Sequence, residues 1–168
     1  MLHQLILRSK RRAFWLCSRL MIATYARLPL FGRLRGSLAV IRKNGRFLVL
    51  ERADGLGLSF VGGLARPWEP EEATLEREVR EETGLKVLGR SLLVRYDHDW
   101  PYPHRTAAFR VETTGQLAGS WEGTPVWVRL GELERRIVRN QREIVTKIAA
   151  EEGRSGNEWE EGRRASSP

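Results

Sequence analysis

One stretch limits the fold more than any other. Gly63 to Leu85, reading GLARPWEPEEATLEREVREETGL, specifies both ends of a helix and a fixed set of acids on it. Pro70 suits the first helical position, where its missing N–H costs nothing, and Glu71 and Glu72 complement the positive end of the helix dipole. Gly84 suits the left-handed cap after the last turn. Leu75 and Val79, four apart, predict the face turned toward a core. A helix is therefore expected from about Pro70 to Thr83.

The acids of that helix are harder to explain by folding alone. Glu78, Glu81 and Glu82 stand at i, i+3 and i+4, so their carboxylates project together and repel by about a few tenths of a kcal/mol per pair. A hard dication reverses the sign, because carboxylate oxygens are what Mg²⁺ or Mn²⁺ prefer. Arg77 lies beside Glu78 and four before Glu81, where it could orient a carboxylate through a two-pronged contact. A solvated acidic helix is the competing reading. Gly62 and Gly63 weigh against it, since paired glycines let backbone approach a ligand closely.

The stretch matches the Nudix box, G-x5-E-x7-R-E-U-x-E-E-x-G-U with U apolar, at Gly63, Glu69, Arg77, Glu78, Val79, Glu81, Glu82, Gly84 and Leu85. The chain thus resembles the Nudix hydrolases over about Gly36 to Ala150. This resemblance implies an α/β fold, an α/β/α sandwich with a mixed β-sheet between helices. It implies that Glu78 and Glu82 bind catalytic Mg²⁺ or Mn²⁺, that Glu81 binds metal or acts through its water, and that the Gly63 carbonyl is a further ligand. Glu69 and Arg77 would brace the loop–helix junction, and Arg77, Glu81 and Glu82 belong to the catalytic set. Glu122, in the turn Ser120-Trp121-Glu122-Gly123, is the candidate base outside the box, because related enzymes often place an acid there. Val61 departs from the proline that many members carry before the glycine pair, which alters loop stiffness more than chemistry. The implied reaction is metal-dependent hydrolysis of a phosphoanhydride bond in a nucleoside diphosphate linked to another moiety. A degenerate module that only binds nucleotide, RNA or protein is the rival, and such modules usually lose a box glutamate.

Around the box, Ser37 to Ile41 and Arg46 to Leu50 read as strands joined at Asn44-Gly45, a dipeptide suited to a positive-φ hairpin turn. Further strands are expected at Leu58 to Val61, Leu92 to Tyr96, Thr106 to Glu112 and Val126 to Leu130. One amphipathic helix is expected from about Gly131 to Glu152, with Leu133, Ile137, Ile144 and Ile148 on one side. From Gly153 the composition reads as disordered.

Between two of these strands lies Asp97-His98-Asp99-Trp100-Pro101-Tyr102-Pro103-His104-Arg105. Aromatics can stack on a base, and His or Arg can contact phosphate, which makes Trp100, Tyr102, His104 and Arg105 the substrate-binding candidates. Trp100-Pro101-Tyr102-Pro103 is similar to the W-P-F-P element of NADH pyrophosphatases. The zinc-binding cysteines typical of that branch cannot exist here, because Cys17 is the only cysteine. Trp68, between two box positions, is expected to cover its loop.

The net charge of +8 is unevenly placed: no Asp or Glu precedes Glu51, whereas Arg8, Lys10, Arg11, Arg12 and Arg19 do. Phe14, Cys17, Met21, Tyr25 and Leu28 recur at the period of one helix face, and Pro29 closes it. Residues 1–30 thus form a basic amphipathic extension that favours an anionic membrane or nucleic acid, or simply a solvated surface. The apolar run Ala13 to Cys17 is too short to span a membrane. A cytoplasmic setting, a nucleotide-type substrate and, from the family resemblance, a homodimer complete the expectation.

Overall fold

The computed structural model describes residues 33–99, 102–120 and 122–165. The expectations for residues 1–30 and for Trp100 lie outside them. Strand β1 (Leu34–Lys43) and strand β2 (Arg46–Arg52) form the expected hairpin, with Asn44 at φ 51° and Gly45 at φ 70°. Both central residues take the left-handed conformation that a tight hairpin turn requires. Strand β3 (Leu58–Leu64) follows, then helix α1 (Glu71–Thr83). Strands β4 (Lys86–His98), β5 (His104–Thr114) and β6 (Gly123–Val128) complete the sheet.

Its order is β4-β5-β1-β3-β2-β6, with β1 and β5 parallel and the other neighbours antiparallel. In β1, Leu38 and Val40 enter one core, with Phe60, Leu133, Ile144 and Ile148. Ala39 and Ile41 enter the other, with Val61, Leu75 and Val79. The run is continuously apolar because both faces of the central strands are covered. The expected sandwich of a mixed sheet between helices is therefore present.

Several boundaries differ from the sequence reading; β6, for instance, is Gly123–Val128 rather than Val126 to Leu130. Strand β4 begins at Lys86 rather than Leu92, and bulges between Val87 and Gly89 and between Leu92 and Val94 shift its side-chain alternation. Backbone pairing with β5 holds this edge strand where the pattern of apolar residues does not. The single helix expected over Gly131 to Glu152 is instead α2 (Leu130–Arg136), a 3-10 turn (Arg139–Gln141) and α3 (Arg142–Ala165).

Long-range bonds make this break. Ile137 is extended and bridges Leu58, and the Val138 amide donates to the Leu58 carbonyl at 2.9 Å. The buried Gln141 side chain accepts from the Phe60 amide at 2.7 Å. Once its first turns are anchored, α3 continues to Ala165, past Gly153, because adding a residue to a formed helix costs far less than starting one. Among the described residues no helix is long and apolar enough to cross a membrane.

Replacing Gln141 by Ala leaves the Phe60 amide buried without an acceptor. A loss of about 1–3 kcal/mol is expected in urea denaturation; an unchanged midpoint would show that other contacts hold the break.

Candidate active site

Helix α1 is seated by its own sequence on the sheet. Leu75 and Val79 are fully buried, and the Ser37 hydroxyl donates to the Glu71 carbonyl at 2.7 Å, tying the first turn to β1. Pro70 is the residue before the helix rather than its first member, with ψ 154°, and its carbonyl accepts the Thr74 amide at 2.9 Å. Gly84 closes the helix at φ 72°, as expected, donating to the Arg80 carbonyl at 2.9 Å.

Arg77 uses all five of its N–H groups on protein. Nε and one terminal nitrogen clamp the two oxygens of Glu69 at 2.9 and 2.8 Å, and that nitrogen also reaches the Leu64 carbonyl at 3.1 Å. The other terminal nitrogen donates to Glu78 at 2.6 Å and Glu81 at 3.3 Å. Glu69 also accepts from the Arg66 amide at 2.9 Å and the Thr74 hydroxyl at 3.0 Å. The Arg77 guanidinium leads the causes that hold Glu69 down to about 2, and Glu69 in turn raises Arg77. These bonds join the loop after β3 to α1, the geometry expected of a brace.

Glycines admit the acids to the sheet. A Cβ on Gly63 would lie 2.7 Å from a Glu78 carboxylate oxygen, and one on Gly62, at φ 139°, would lie 2.1 Å from the Ser37 carbonyl. The Gly62 amide donates to Glu82 at 2.7 Å, and Glu82 is only 5% exposed. Burial pushes Glu82 up to about 9, opposed by the Gly62 amide and assisted by the charges of Glu122 and Glu78. Burial likewise raises Glu122 and Glu78. Glu82 and Glu122 share a hydrogen bond and both are raised by burial, so the two titrate as a pair. The turn carrying Glu122 is held by its amide bond to the Ser120 hydroxyl at 3.2 Å.

Glu81 is half exposed, lying between Arg77 and Arg66. Among the described residues no three His, Cys, Asp or Glu side chains already surround one point as an ion cage. The mutual repulsion of Glu78, Glu82 and Glu122 nevertheless places them within electrostatic reach of one another. Both observations hold, because each acid is turned to a protein partner: Glu78 and Glu81 to Arg77, Glu82 to Gly62 and Glu122. The donor set, hard oxygens in a site too negative to stay charged alone, suits Mg²⁺ or Mn²⁺.

The expected substrate residues fare unevenly. Leu34 pairs with His104 and Gly36 with Leu64, so the β4–β5 connection and the box loop lie at the same end of the sheet. Tyr102 is largely buried there, which raises its hydroxyl, and it feels the charge of Arg52, as does Glu122. His104 and Arg105 are not free loop groups. His104 is 5% exposed, bonded through Nδ1 to the Tyr102 carbonyl at 2.9 Å and stacked on His98. Arg105 is held by Asp97 at 2.8 and 3.1 Å. Both belong to β5, whose start the sequence places too late. Trp68 does not cover its loop: it is 92% exposed at φ 61°. Arg52 and Arg66, which the sequence reading passes over, stand at the rim, and only folding marks them out.

A mixed sheet between helices, with acids of one helix packed on a glycine pair, is the architecture of a Nudix scaffold. Residues 32–148 match the NUDIX domain, and the chain belongs to the Nudix family. It is similar to two proteins described as NAD-capped RNA hydrolase NudC. That of Chromobacterium violaceum is 33% identical over 78 residues, 44% of this chain and 28% of the relative. That of Deinococcus radiodurans is 41% identical over 56 residues, 33% of this chain and 19% of the relative. The chain thus matches less than a third of either relative's length. In fold it is similar to the ORF135 protein of E. coli, at TM-score 0.64 and 21% identity, covering 73% of this chain and 93% of that one. The MutT NUDIX hydrolase of Burkholderia pseudomallei gives TM-score 0.62 at 21% identity, covering 69% and 98%.

The raised Glu82 has a stability consequence whose sign is opposite to that of Glu69. Folding retains a proton on Glu82 that the unfolded chain releases near its ordinary value, so stability without metal falls as pH rises from about 4.5 toward 9. The Glu69 contribution is complete above its ordinary value and fades as pH falls toward 2. Glu82→Gln in chelator is therefore expected to melt above the parent chain at pH 8 and to show a shallower pH profile between 5 and 9, with the slope from the raised Glu78 and Glu122 remaining. A lower Tm for the variant at pH 8 would contradict this account.

Proposed function

We propose that this chain hydrolyses a phosphoanhydride bond in a nucleoside diphosphate linked to another moiety, by attack of water on phosphorus. The observation that carries the reading is the burial of Glu82 with Glu78 and Glu122 at the glycine pair, where burial and mutual repulsion disfavour their charged forms. Glu78, Glu81, Glu82 and the Gly63 carbonyl would hold Mg²⁺ or Mn²⁺. When bound, such ions neutralise the diphosphate and lower the pKa of water.

The protein's own groups divide the remaining work. Glu122 accepts the proton of the attacking water, for which its raised affinity for protons suits it. Arg77 is a positioning residue, holding Glu78 and Glu81 while Glu69 fixes its plane. Arg52 and Tyr102, which interact at the rim, are placed to receive the part of the substrate beyond the diphosphate. Dinucleotide cleavage is the more specific reading, supported by the Trp100–Pro103 element and by the relatives described as acting on NAD-capped RNA. The nucleotide-type substrate and the single cysteine both suit a cytoplasmic setting.

A panel of nucleoside triphosphates, nucleotide sugars and dinucleotides, incubated with Mg²⁺ and Mn²⁺, tests the reading by released phosphate or mononucleotide. Glu122→Gln is expected to reduce kcat by about 10²–10⁴-fold and to remove the acid limb of the pH–rate profile. Glu82→Gln should lower turnover by orders of magnitude while remaining folded. Near-normal turnover in both variants would overturn these residue roles, and no cleavage of any panel member by the parent chain would return the domain to a binding role. Mn²⁺ should also raise Tm in the parent chain, and more at pH 8 than at pH 6, because it stabilises the charged acids.

A further inference from the structure

Away from the acids, the β1–β2 hairpin and the β6 edge of the sheet carry a basic trough. Lys43 and Arg46 on the β1–β2 hairpin, Arg129 after β6 and Arg135 on α2 are all exposed. None of the four forms an ion pair with another described residue. Two concavities meet there. One of about 880 Å³ is lined by Lys43, Arg46, Leu117 and Trp127. The other, about 420 Å³, is lined by Arg46, Trp127, Arg129 and Arg135. Arg46 and Trp127 belong to both, so the two hollows form one course.

The acids bordering this course do not cancel its charge. Glu132 is already bound by Arg136 at 2.7 Å, which leaves Glu112 against four cations that have no ion pair among the described residues. Holding four cations around one half-buried indole without counter-charges costs self-repulsion, and a polyanion relieves it. Trp127 packs against the core cluster that contains Leu75 and Val79, so its indole lies on the α1 side of the sheet. Strand β6 connects the two places: Glu122 immediately precedes Gly123, and Trp127 lies four residues along the strand, about 13 Å away.

We propose that this trough binds the sugar–phosphate backbone of a single-stranded nucleic acid, with Trp127 offering its exposed part to a base. The chemistry matches what such strands require: a groove of cations that follows the phosphates and an aromatic surface that accepts any base. An anionic membrane is a poorer fit, because lipid docking uses protruding apolar side chains rather than a hollow. Resting on the hydrolytic reading above, the proposal defines the substrate class as a diphosphate at the end of a polynucleotide. The acids then act on the terminus while the trough holds the chain that follows.

The test uses the full chain, a fluorescent single-stranded RNA dodecamer without any diphosphate, and chelator, so that binding is read without turnover. The comparison protein is K43Q/R46Q/R129Q/R135Q. Loss of at least tenfold in affinity is expected. The slope of log affinity against log salt should shrink by about 3, since each phosphate contact on a single strand contributes about 0.7. Equal affinity of the two proteins for the dodecamer overturns the proposal, as does binding to phosphatidylserine vesicles without binding to RNA. R46Q/R129Q, expected to lose several-fold, replaces the fourfold variant if circular dichroism shows the latter unfolded.

Hydrolysis separates the two layers of the argument. Both proteins should cleave a free dinucleotide with the same kcat/KM, whereas KM for the same group on an RNA 5′ end should rise at least tenfold in the variant. Equal KM values on the RNA-linked substrate overturn the substrate class. If the parent chain cleaves no diphosphate at all yet loses RNA affinity on substitution, the trough stands and the hydrolytic reading falls.

Discussion

The contact between the Gly62 amide and the Glu82 carboxylate fixes how closely α1 lies over β3, and the site follows from it. A buried carboxylate is tolerable only where an N–H is presented to it, and Gly62 presents one because the strand there adopts a conformation that side chains resist. Leu75 and Val79 supply the apolar seating that keeps this register. Remove the close approach and Glu78, Glu82 and Glu122 separate into ordinary surface acids.

The Arg77 cluster answers a different need. It sits beside the buried acids and offsets part of their charge at Glu78, while Glu69 keeps the guanidinium from turning fully toward them. Breaking such a network by removing one partner leaves a charge uncompensated, which is why the loop after β3 and the start of α1 behave as one unit. Stability and the proposed chemistry are opposed here: the acids proposed to hold a dication are those whose burial the fold sustains at a cost. The basic trough repeats the logic with opposite sign, as cations without ion pairs among the described residues gathered along a concave surface.

Parts of this were legible before folding because they are local. The Asn44-Gly45 turn, the Gly84 cap, the Leu75 and Val79 stripe and the acid spacing all depend on residues close in sequence. The hidden parts depend on distant ones. A continuous apolar period from Leu133 to Ile148 reads as one helix, yet bonds from Leu58 and Phe60 break it at Ile137 to Gln141. His104 and Arg105 read as loop groups because the pairing that draws them into β5 comes from β1 and β4. Glu122 belongs with Glu82 only because β6 pairs with β2 and begins beside α1.

The amino-acid order alone determined a helix with its caps, the spacing of its carboxylates and the glycines that let them approach backbone. It did so because dihedral limits and side-chain periodicity act over a few residues. Tertiary structure alone decided which acid is desolvated, which arginine is spent on bracing, and that Lys43, Arg46, Arg129 and Arg135 share one surface with Trp127. Those outcomes turn on burial and on distances through space, and neither is a property of neighbouring residues.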